Sequence, residues 1–200
     1  MSAPVTPNIS SKDSPSARPL AAENCALVVI DIQEKLLPPI HERERLVKNS
    51  QLLIRLGKIL KLPVLVTTQY EKGLGRTVPE IASLLPEQTI YDKQEFSCFA
   101  NEGFRAAAHA LPSQRKTLLL CGMETHICVM QTALGAIQQD YTVHVAADAV
   151  GSRSELNWRI GLDRMREAGA VISSTETILY ELLRGSGGAA FKEMLPYLKS

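Results

Sequence analysis

Apolar runs of strand length alternate with helical patterns along almost the whole chain. The first run, CALVVI from Cys25, is apolar at every position, which is typical of a strand covered on both faces. Five more runs follow, in the order VLVTT, TIYDK, KTLLLC, TVHVAADA and AVISST. Because strands joined through helices pair in parallel by right-handed crossovers, the alternation predicts an α/β fold. We expect a three-layer, doubly wound, mostly parallel six-stranded sheet of the Rossmann-like kind.

Between the strands, apolar residues recur at helical spacing. The segment 43–60 illustrates the pattern, with Leu46, Leu53 and Ile54 in the repeat and Pro63 beyond its end. Further helices are predicted at 102–111, 127–139, 154–167, 175–184 and 189–198. The chain shows no internal repeat, so the pattern indicates a single domain over residues 24–200.

Residues 1–23 differ in composition from the rest of the chain. They are rich in Ser, Pro, Ala and Asn and lack an apolar period, which predicts a disordered N-terminal arm. No apolar h-region is present, so a signal peptide is not expected. A mitochondrial transit peptide would be rich in Arg and poor in acidic residues, and the arm does not have this composition. We expect a cytoplasmic protein with reduced cysteines, and a mitochondrial location is the weaker alternative.

Charge and histidine placement argue against several function classes. The 200 residues carry 22 basic and 21 acidic side chains, so no bulk charge attracts nucleic acid or an anionic membrane. No apolar run approaches the ~20 residues of a membrane span. The four histidines show no metal-ligand spacing, and KGLGRT lacks the phosphate-loop spacing. We therefore predict no metal site and no cofactor.

Three chemically reactive side chains follow three different predicted strands. Asp31 ends the first strand and Lys93 follows the third. Cys128 follows the fourth, in the first turn of a helix that comes after a tight turn at Gly122. Ligands of an open parallel sheet bind at the carboxyl ends of its strands, so the three residues are expected together. Taken singly, each has a plainer interpretation as a capping Asp, a solvated Lys or a buried apolar Cys.

A thiol in this position has a route to ionisation. A free cysteine has a pKa of ~8.5 and is mostly protonated at neutral pH. A helix amino terminus and the ammonium group of Lys93 would both favour the thiolate of Cys128. Asp31 can accept the thiol proton and return it to a leaving amine. The pattern thus predicts the Asp–Lys–Cys triad of a cysteine hydrolase.

These stretches resemble the isochorismatase-like cysteine hydrolase family, and more narrowly its isochorismatase domain-containing branch. The similarity covers about residues 25–183 and includes VVIDIQEKLL, YDKQEFSCF and GMETHICVMQTA. It implies the isochorismatase-like hydrolase fold, with Cys128 as nucleophile, Asp31 as proton acceptor and Lys93 as the charged partner of both. It also implies a cis peptide bond before Glu124. The backbone N–H groups of Glu124 and Cys128 would then converge as an oxyanion hole.

Two amides, three aromatic rings and one histidine are expected around the substrate: Gln33, Gln69, Tyr70, Phe96, Phe99 and His126. The amides would be polar contacts and the aromatic rings apolar walls. The sequence equally favours a second interpretation of the histidine, as a loop residue hydrogen-bonded to the backbone. Cys121 is expected in the core, and Cys98 is expected to line the pocket or pack beside it.

The sequence favours hydrolysis of a small-molecule amide or related C–N bond through a Cys128 thioester. Nicotinamidase-type relatives carry an Asp and two His residues for a metal, whereas the corresponding loop here reads TTQYEKG. This difference argues against a metal and against nicotinamide as substrate. A ribonuclease-type RNA-processing protein and a non-catalytic ligand-binding protein stay open as alternatives. The resemblance also implies a homo-oligomer.

Overall fold

The computed structural model describes residues 17–199 and contains a six-stranded sheet flanked by helices on both faces. The strands are β1 Cys25–Ile30, β2 Val64–Gln69, β3 Ile90–Lys93, β4 Thr117–Met123, β5 Thr142–Gly151 and β6 Val171–Ser173. The helices are α1 Arg43–Ile59, α2 Glu71–Leu74, α3 Pro79–Ala82, α4 Glu102–His109, α5 Met130–Ile137, α6 Glu155–Glu167, α7 Thr175–Leu183 and α8 Ala189–Leu198. The predicted three-layer α/β fold is confirmed.

The strand order is β3-β2-β1-β4-β5-β6, and every neighbouring pair runs parallel. The chain builds outward from β1 to β3 and then crosses back to β4 on the other side of β1. Ligands of doubly wound sheets bind at the carboxyl ends of the two strands that flank this reversal. We therefore expect a ligand site at the segments that follow β1 and β4.

Alternation along the strands divides the core between the two faces of the sheet. Leu27 and Leu119 point to the face that packs against α1, α3, α7 and α8. Val28 and Leu120 point to the opposite face, which packs against α4, α5 and α6. Both faces are apolar because helices cover both, which explains the uninterrupted apolar runs in the sequence. Within residues 17–199, no helix is long and apolar enough to cross a membrane.

The end of β4 differs from the sequence-based prediction of a tight turn at Gly122. That prediction is wrong: the strand continues to Met123, and its register with β5 shifts between Leu120 and Gly122. Gly122 has a φ of 121°, and a Cβ atom there would lie 2.0 Å from the carbonyl oxygen of Ile30. The position requires glycine because the backbone of β1 leaves no space for a side chain.

Of the segment predicted to be a disordered arm, residues 1–16 lie outside the described part of the chain. Leu20 is buried, and its backbone N–H donates to Glu181 Oε2 at 2.9 Å. Glu23 forms an ion pair of 3.2 Å with Arg184 at the end of α7. The chain therefore packs against the domain from Leu20 onward, a few residues before the predicted boundary at residue 24.

Candidate active site

Asp31 and Lys93 form a completely buried ion pair at the carboxyl edge of the sheet. Asp31 directly follows β1, and Lys93 is the last residue of β3. Lys93 Nζ lies 2.7 Å from Asp31 Oδ2, and neither side chain is exposed to solvent. A charged group is tolerated in such a place only when it is paired and hydrogen-bonded, so each side chain depends on the other.

Two side chains of β2, which lies between β1 and β3, complete the hydrogen bonds of this pair. The Thr67 hydroxyl donates to Asp31 Oδ1 at 2.7 Å, so both carboxylate oxygens have a donor. Lys93 Nζ donates to Gln69 Oε1, also at 2.7 Å. Gln69 Nε2 donates to the carbonyl of Gln94 at 2.8 Å, an arrangement that turns the amide oxygen toward the ammonium group.

Cys128 lies in a π turn, Thr125–Val129, that joins β4 to α5. Sγ lies 4.0 Å from Gln69 Oε1, and the thiol is close enough to Asp31 for the carboxylate to raise its pKa. The residue is 6% exposed, whereas the other three cysteines are 0% exposed. The structure thus brings together Asp31, Lys93 and Cys128.

The protonation state of Cys128 differs from the thiolate that the sequence favoured. Burial raises the pKa of the Cys128 thiol, and the negative charge of Asp31 raises it further, while Lys93 opposes the shift. Burial lowers the pKa of Lys93, but the charge of Asp31 opposes this, and the pKa of Lys93 is raised overall. The resting site therefore holds a neutral thiol beside a charged Asp–Lys pair.

The backbone that leads into the π turn carries Glu124. The peptide bond between Met123 and Glu124 is cis. The Glu124 side chain accepts hydrogen bonds from the backbone N–H of Arg153 at 3.0 Å and from its Nε at 3.1 Å. The Glu124 carbonyl accepts from the backbone of Ile127 and Val129. The side chain and carbonyl of Glu124 are thus committed to holding the turn.

Helix α6 packs directly on the π turn through Gly161. A Cβ atom at Gly161 would lie 2.9 Å from the Cα atom of His126 and 3.0 Å from its nitrogen. Ser152, which precedes α6, lies 3.0 Å from His126 Nδ1 through its hydroxyl. The sequence left His126 either as a substrate contact or as a loop residue hydrogen-bonded to the backbone. In the structure its hydrogen-bond partner is within the protein, but it is the Ser152 side chain and not the backbone.

The two glutamines predicted to contact substrate have intramolecular partners. Gln33 Oε1 accepts from the backbone N–H of Gln69 at 2.6 Å. Gln33 Nε2 donates to the carbonyls of Gln69 at 3.1 Å and of Gly75 at 2.7 Å. The side chain of Gln33 therefore joins the end of β2 to the following loop, and Gln69 orients Lys93.

The three predicted aromatic walls lie in different surroundings. Tyr70 and Phe96 are 45% and 53% exposed, respectively. Phe99 is buried, with its ring 5.4 Å from that of Phe104 and 5.6 Å from that of Tyr141. Phe99 therefore belongs to an aromatic cluster of the core.

Thr67 and Cys98 are residues of the site that the sequence analysis missed or left undecided. Cys98 Sγ lies 3.8 Å from Thr67 Oγ1, which in turn donates to Asp31. Burial raises the pKa of Cys98 to about 11, so it is a neutral thiol. A threonine in an apolar strand gives no signal of its own. Its role comes from the register in which Thr67 pairs with Ile30, the residue before Asp31.

Within residues 17–199, no group of three or more acidic, His or Cys side chains could hold a metal ion.

Comparison with known proteins agrees with this fold. The isochorismatase domain family matches residues 25–177. "Secreted isochorismatase effector Isc1" of Phytophthora sojae is 37% identical over 183 residues, which cover 90% of this chain and 87% of that protein. The chain therefore belongs to the isochorismatase family.

Two solved structures have nearly the same fold. The MAR1 ribonuclease from Caenorhabditis elegans has a TM-score of 0.84 and 33% identity, over 92% of this chain and 93% of that one. The YcaC gene product from Escherichia coli, described as an octameric hydrolase of unknown specificity, has a TM-score of 0.82 and 29% identity, over 90% and 93% of the two chains.

Proposed function

We propose that this chain is a cysteine hydrolase that cleaves an amide or related C–N bond in a small molecule. The observation that carries the proposal is the Cys128 thiol at the carboxylate of a completely buried Asp31–Lys93 ion pair. A buried ion pair contributes little net stability compared with apolar packing, so its position beside the most accessible thiol favours a chemical role. Membership of the isochorismatase family supports a hydrolase.

The first step forms a thioester and releases an amine. As Sγ of Cys128 attacks the substrate carbonyl carbon, its proton moves to Asp31, and the carbonyl oxygen becomes an oxyanion. The backbone N–H groups of Glu124 and Cys128 are the proposed donors to that oxyanion. Asp31 then protonates the substrate nitrogen, and the C–N bond breaks.

The second step hydrolyses the thioester. A water molecule transfers a proton to Asp31 and attacks the same carbonyl carbon. The S–C bond breaks, the acid product leaves, and Asp31 returns the proton to Cys128. Lys93 stays protonated throughout, and its charge stabilises the Asp31 carboxylate whenever that carboxylate is ionised.

The neutral resting thiol suits this cycle. Attack and proton transfer to Asp31 occur together, so the enzyme does not maintain a free thiolate in a buried site. The exposure of Cys128 is only 6%, which favours a small, slender substrate. Tyr70 and Phe96, which are exposed, are the proposed apolar contacts.

Two further proposals rest on the relatives. The octameric state of the similar hydrolase supports a homo-oligomer for this chain. The ribonuclease similarity favours RNA cleavage as a second candidate function, although the chain has a net charge of only +1. RNA cleavage that persists in a Cys128→Ala variant would separate that activity from the triad.

A cytoplasmic location remains our proposal, while the P. sojae relative is named as a secreted protein.

The test is to trap the nucleophile. The native protein is incubated with chloroacetamide and with a library of small amides, and adducts are located by peptide mass mapping. We expect a mass increase on the Cys128 peptide ahead of the other three cysteine peptides. The adduct and all amide turnover should disappear in Cys128→Ala and persist in the control Cys25→Ala, which removes a buried thiol at the opposite end of the sheet. Equal labelling of all four thiols would rule out the proposal.

A further inference from the structure

The backbone of β1 leaves β2 before β2 ends. The register of the two strands stops where Ile30 pairs with Thr67, and the backbone N–H of Asp31 then donates to the Thr67 carbonyl at 3.2 Å. Asp31 has a φ of 51°, and beyond it the chain forms hydrogen bonds with the segment 76–78 instead of with β2. Because hydrogen bonds of a parallel ladder are evenly spaced, Gln69 is the next residue of β2 whose backbone needs a partner on this side.

The side chain of Gln33 supplies that partner. Its Oε1 accepts from the backbone N–H of Gln69 at 2.6 Å, and its Nε2 donates to the Gln69 carbonyl at 3.1 Å. The amide side chain thus takes the place of a backbone peptide group in the ladder. Nε2 also donates to the carbonyl of Gly75 at 2.7 Å, so both of its N–H groups are used. Gln33 is completely buried.

The residue held in this way lies against two members of the triad. Gln69 Oε1 accepts from Lys93 Nζ at 2.7 Å and lies 4.0 Å from Cys128 Sγ. The charge of Lys93 opposes the rise in the pKa of the Cys128 thiol. A displacement of Gln69 would therefore move the acceptor that holds the ammonium group, and it would change how readily the thiol reacts.

We propose that Gln33 is a positioning residue of the cysteine hydrolase site, and that it acts on Lys93 and Cys128 through the backbone of Gln69. This inference rests on the proposed role of Cys128 as nucleophile. The position favours glutamine because its amide both accepts from the Gln69 N–H and donates to two carbonyls. An apolar side chain of similar length can do neither, and an ionised carboxylate can only accept.

The test compares the rate at which chloroacetamide labels Cys128 in native protein and in Gln33→Met, from about pH 7 to about pH 10. We expect labelling to be about tenfold slower in the variant, with the rate profile displaced to higher pH because Lys93 then opposes the thiol pKa less. The matched control is Gln88→Met. Gln88 Nε2 donates to the carbonyl of Val64, the first residue of β2, at 2.6 Å, so it makes the same kind of bond at the other end of the strand. The control should lose stability in urea and keep the native labelling rate. Equal slowing in both variants would overturn the proposal.

A double-mutant cycle shows whether Gln33 acts through Gln69. Gln69→Met removes the acceptor of Lys93 Nζ and should by itself slow the labelling of Cys128 about tenfold. Adding Gln33→Met should then slow labelling by less than about twofold more, because the connection is already broken. Two full effects that multiply in the double variant would contradict an action through Gln69.

Gln33→Glu takes the place of Gln33→Met if the latter does not fold. It keeps the length of the side chain and the acceptor for the Gln69 N–H, but its ionised form has no donor for either carbonyl. It should also label more slowly than native protein, and a native rate would overturn the proposal. All these comparisons use the rate at Cys128 alone. They therefore give a result whether or not Cys128 labels ahead of the other three thiols, which is the separate test of the proposed function.

Discussion

Lys93 Nζ lies 2.7 Å from Asp31 Oδ2, although Lys93 ends β3, Asp31 follows β1, and β2 lies between these two strands. The pair therefore crosses over β2, and both charges are withdrawn from water. Neither charge can be removed singly without leaving the other buried and unpaired. Comparing the removal of one charge with the removal of both can therefore distinguish the effect of the pair on stability from its effect on the reactivity of Cys128.

Replacing Lys93 by Met should destabilise the protein strongly. The variant leaves the buried Asp31 carboxylate without its counter-charge, which costs about 3–5 kcal/mol in the free energy of unfolding. The double variant Asp31→Asn with Lys93→Met carries no buried charge and should recover much of that loss, but it should not recover alkylation of Cys128 at the native rate. Urea unfolding measures the first effect and mass spectrometry the second. A double variant as unstable as the single one would contradict this account of the pair.

Thr67→Val should change the reactivity of Cys128 as well as stability. The substitution removes the donor to Asp31 Oδ1, which costs about 1–3 kcal/mol for a buried acceptor. The Asp31 carboxylate then has one donor fewer and is a stronger hydrogen-bond acceptor for the Cys128 thiol, so we expect faster alkylation of Cys128 at neutral pH. The matched control is Thr68→Val, because Thr68 is equally buried on β2 but donates to Asp92 at 3.0 Å. Identical alkylation profiles for the two variants would exclude a positioning role for Thr67.

Gly161→Ala should displace the turn that carries Cys128. Alanine normally stabilises a helix interior by about 0.5–1 kcal/mol relative to glycine. At Gly161 the added Cβ would approach the His126 backbone to 2.9 Å, so we expect lower stability and slower Cys128 alkylation. Gly57→Ala in α1 is the control, since its nearest contact would be 3.7 Å, and it should raise the melting temperature. If Gly161→Ala also raises the melting temperature and leaves alkylation unchanged, the packing argument fails.

The stability of the protein should fall as the pH rises above about 9. Burial raises the pKa of Cys25 and Cys98 to about 11 and that of Cys121 to about 12, and it raises that of Cys128 as well. The unfolded chain releases these protons first, so each thiol lowers the free energy of unfolding by up to about 1.4 kcal/mol per pH unit in this range.

Urea unfolding under reducing conditions between about pH 8 and about pH 10.5 measures this slope. The variant Cys121→Val removes one buried thiol from the core and should make the slope shallower by about one thiol's share. A slope that is unchanged in the variant would show that other groups control alkaline unfolding.

Much of the fold and the location of the site could be predicted from local patterns. Uninterrupted apolar runs separated by helical periods specify parallel strands covered on both faces. Parallel strands place all their carboxyl ends at one edge, so Asp31, Lys93 and Cys128 were expected to meet there. Residue type and position along the chain are sufficient for that inference.

The finer features were decided by contacts between strands that are distant in sequence. Gln33 and Gln69 were predicted as substrate contacts, yet the approach of β1 to β2 gives their amides internal partners. Phe99 has an aromatic neighbour in Tyr141 that the sequence places far away.

By itself, the sequence determined a doubly wound α/β sheet and the edge at which its reactive side chains lie, because both follow from periodicity and chain direction. Only the tertiary structure decided that Thr67 holds Asp31 and that Cys128 rests as a neutral thiol. Hydrogen bonds and pKa shifts depend on distances and burial, and those are fixed when separate segments pack together.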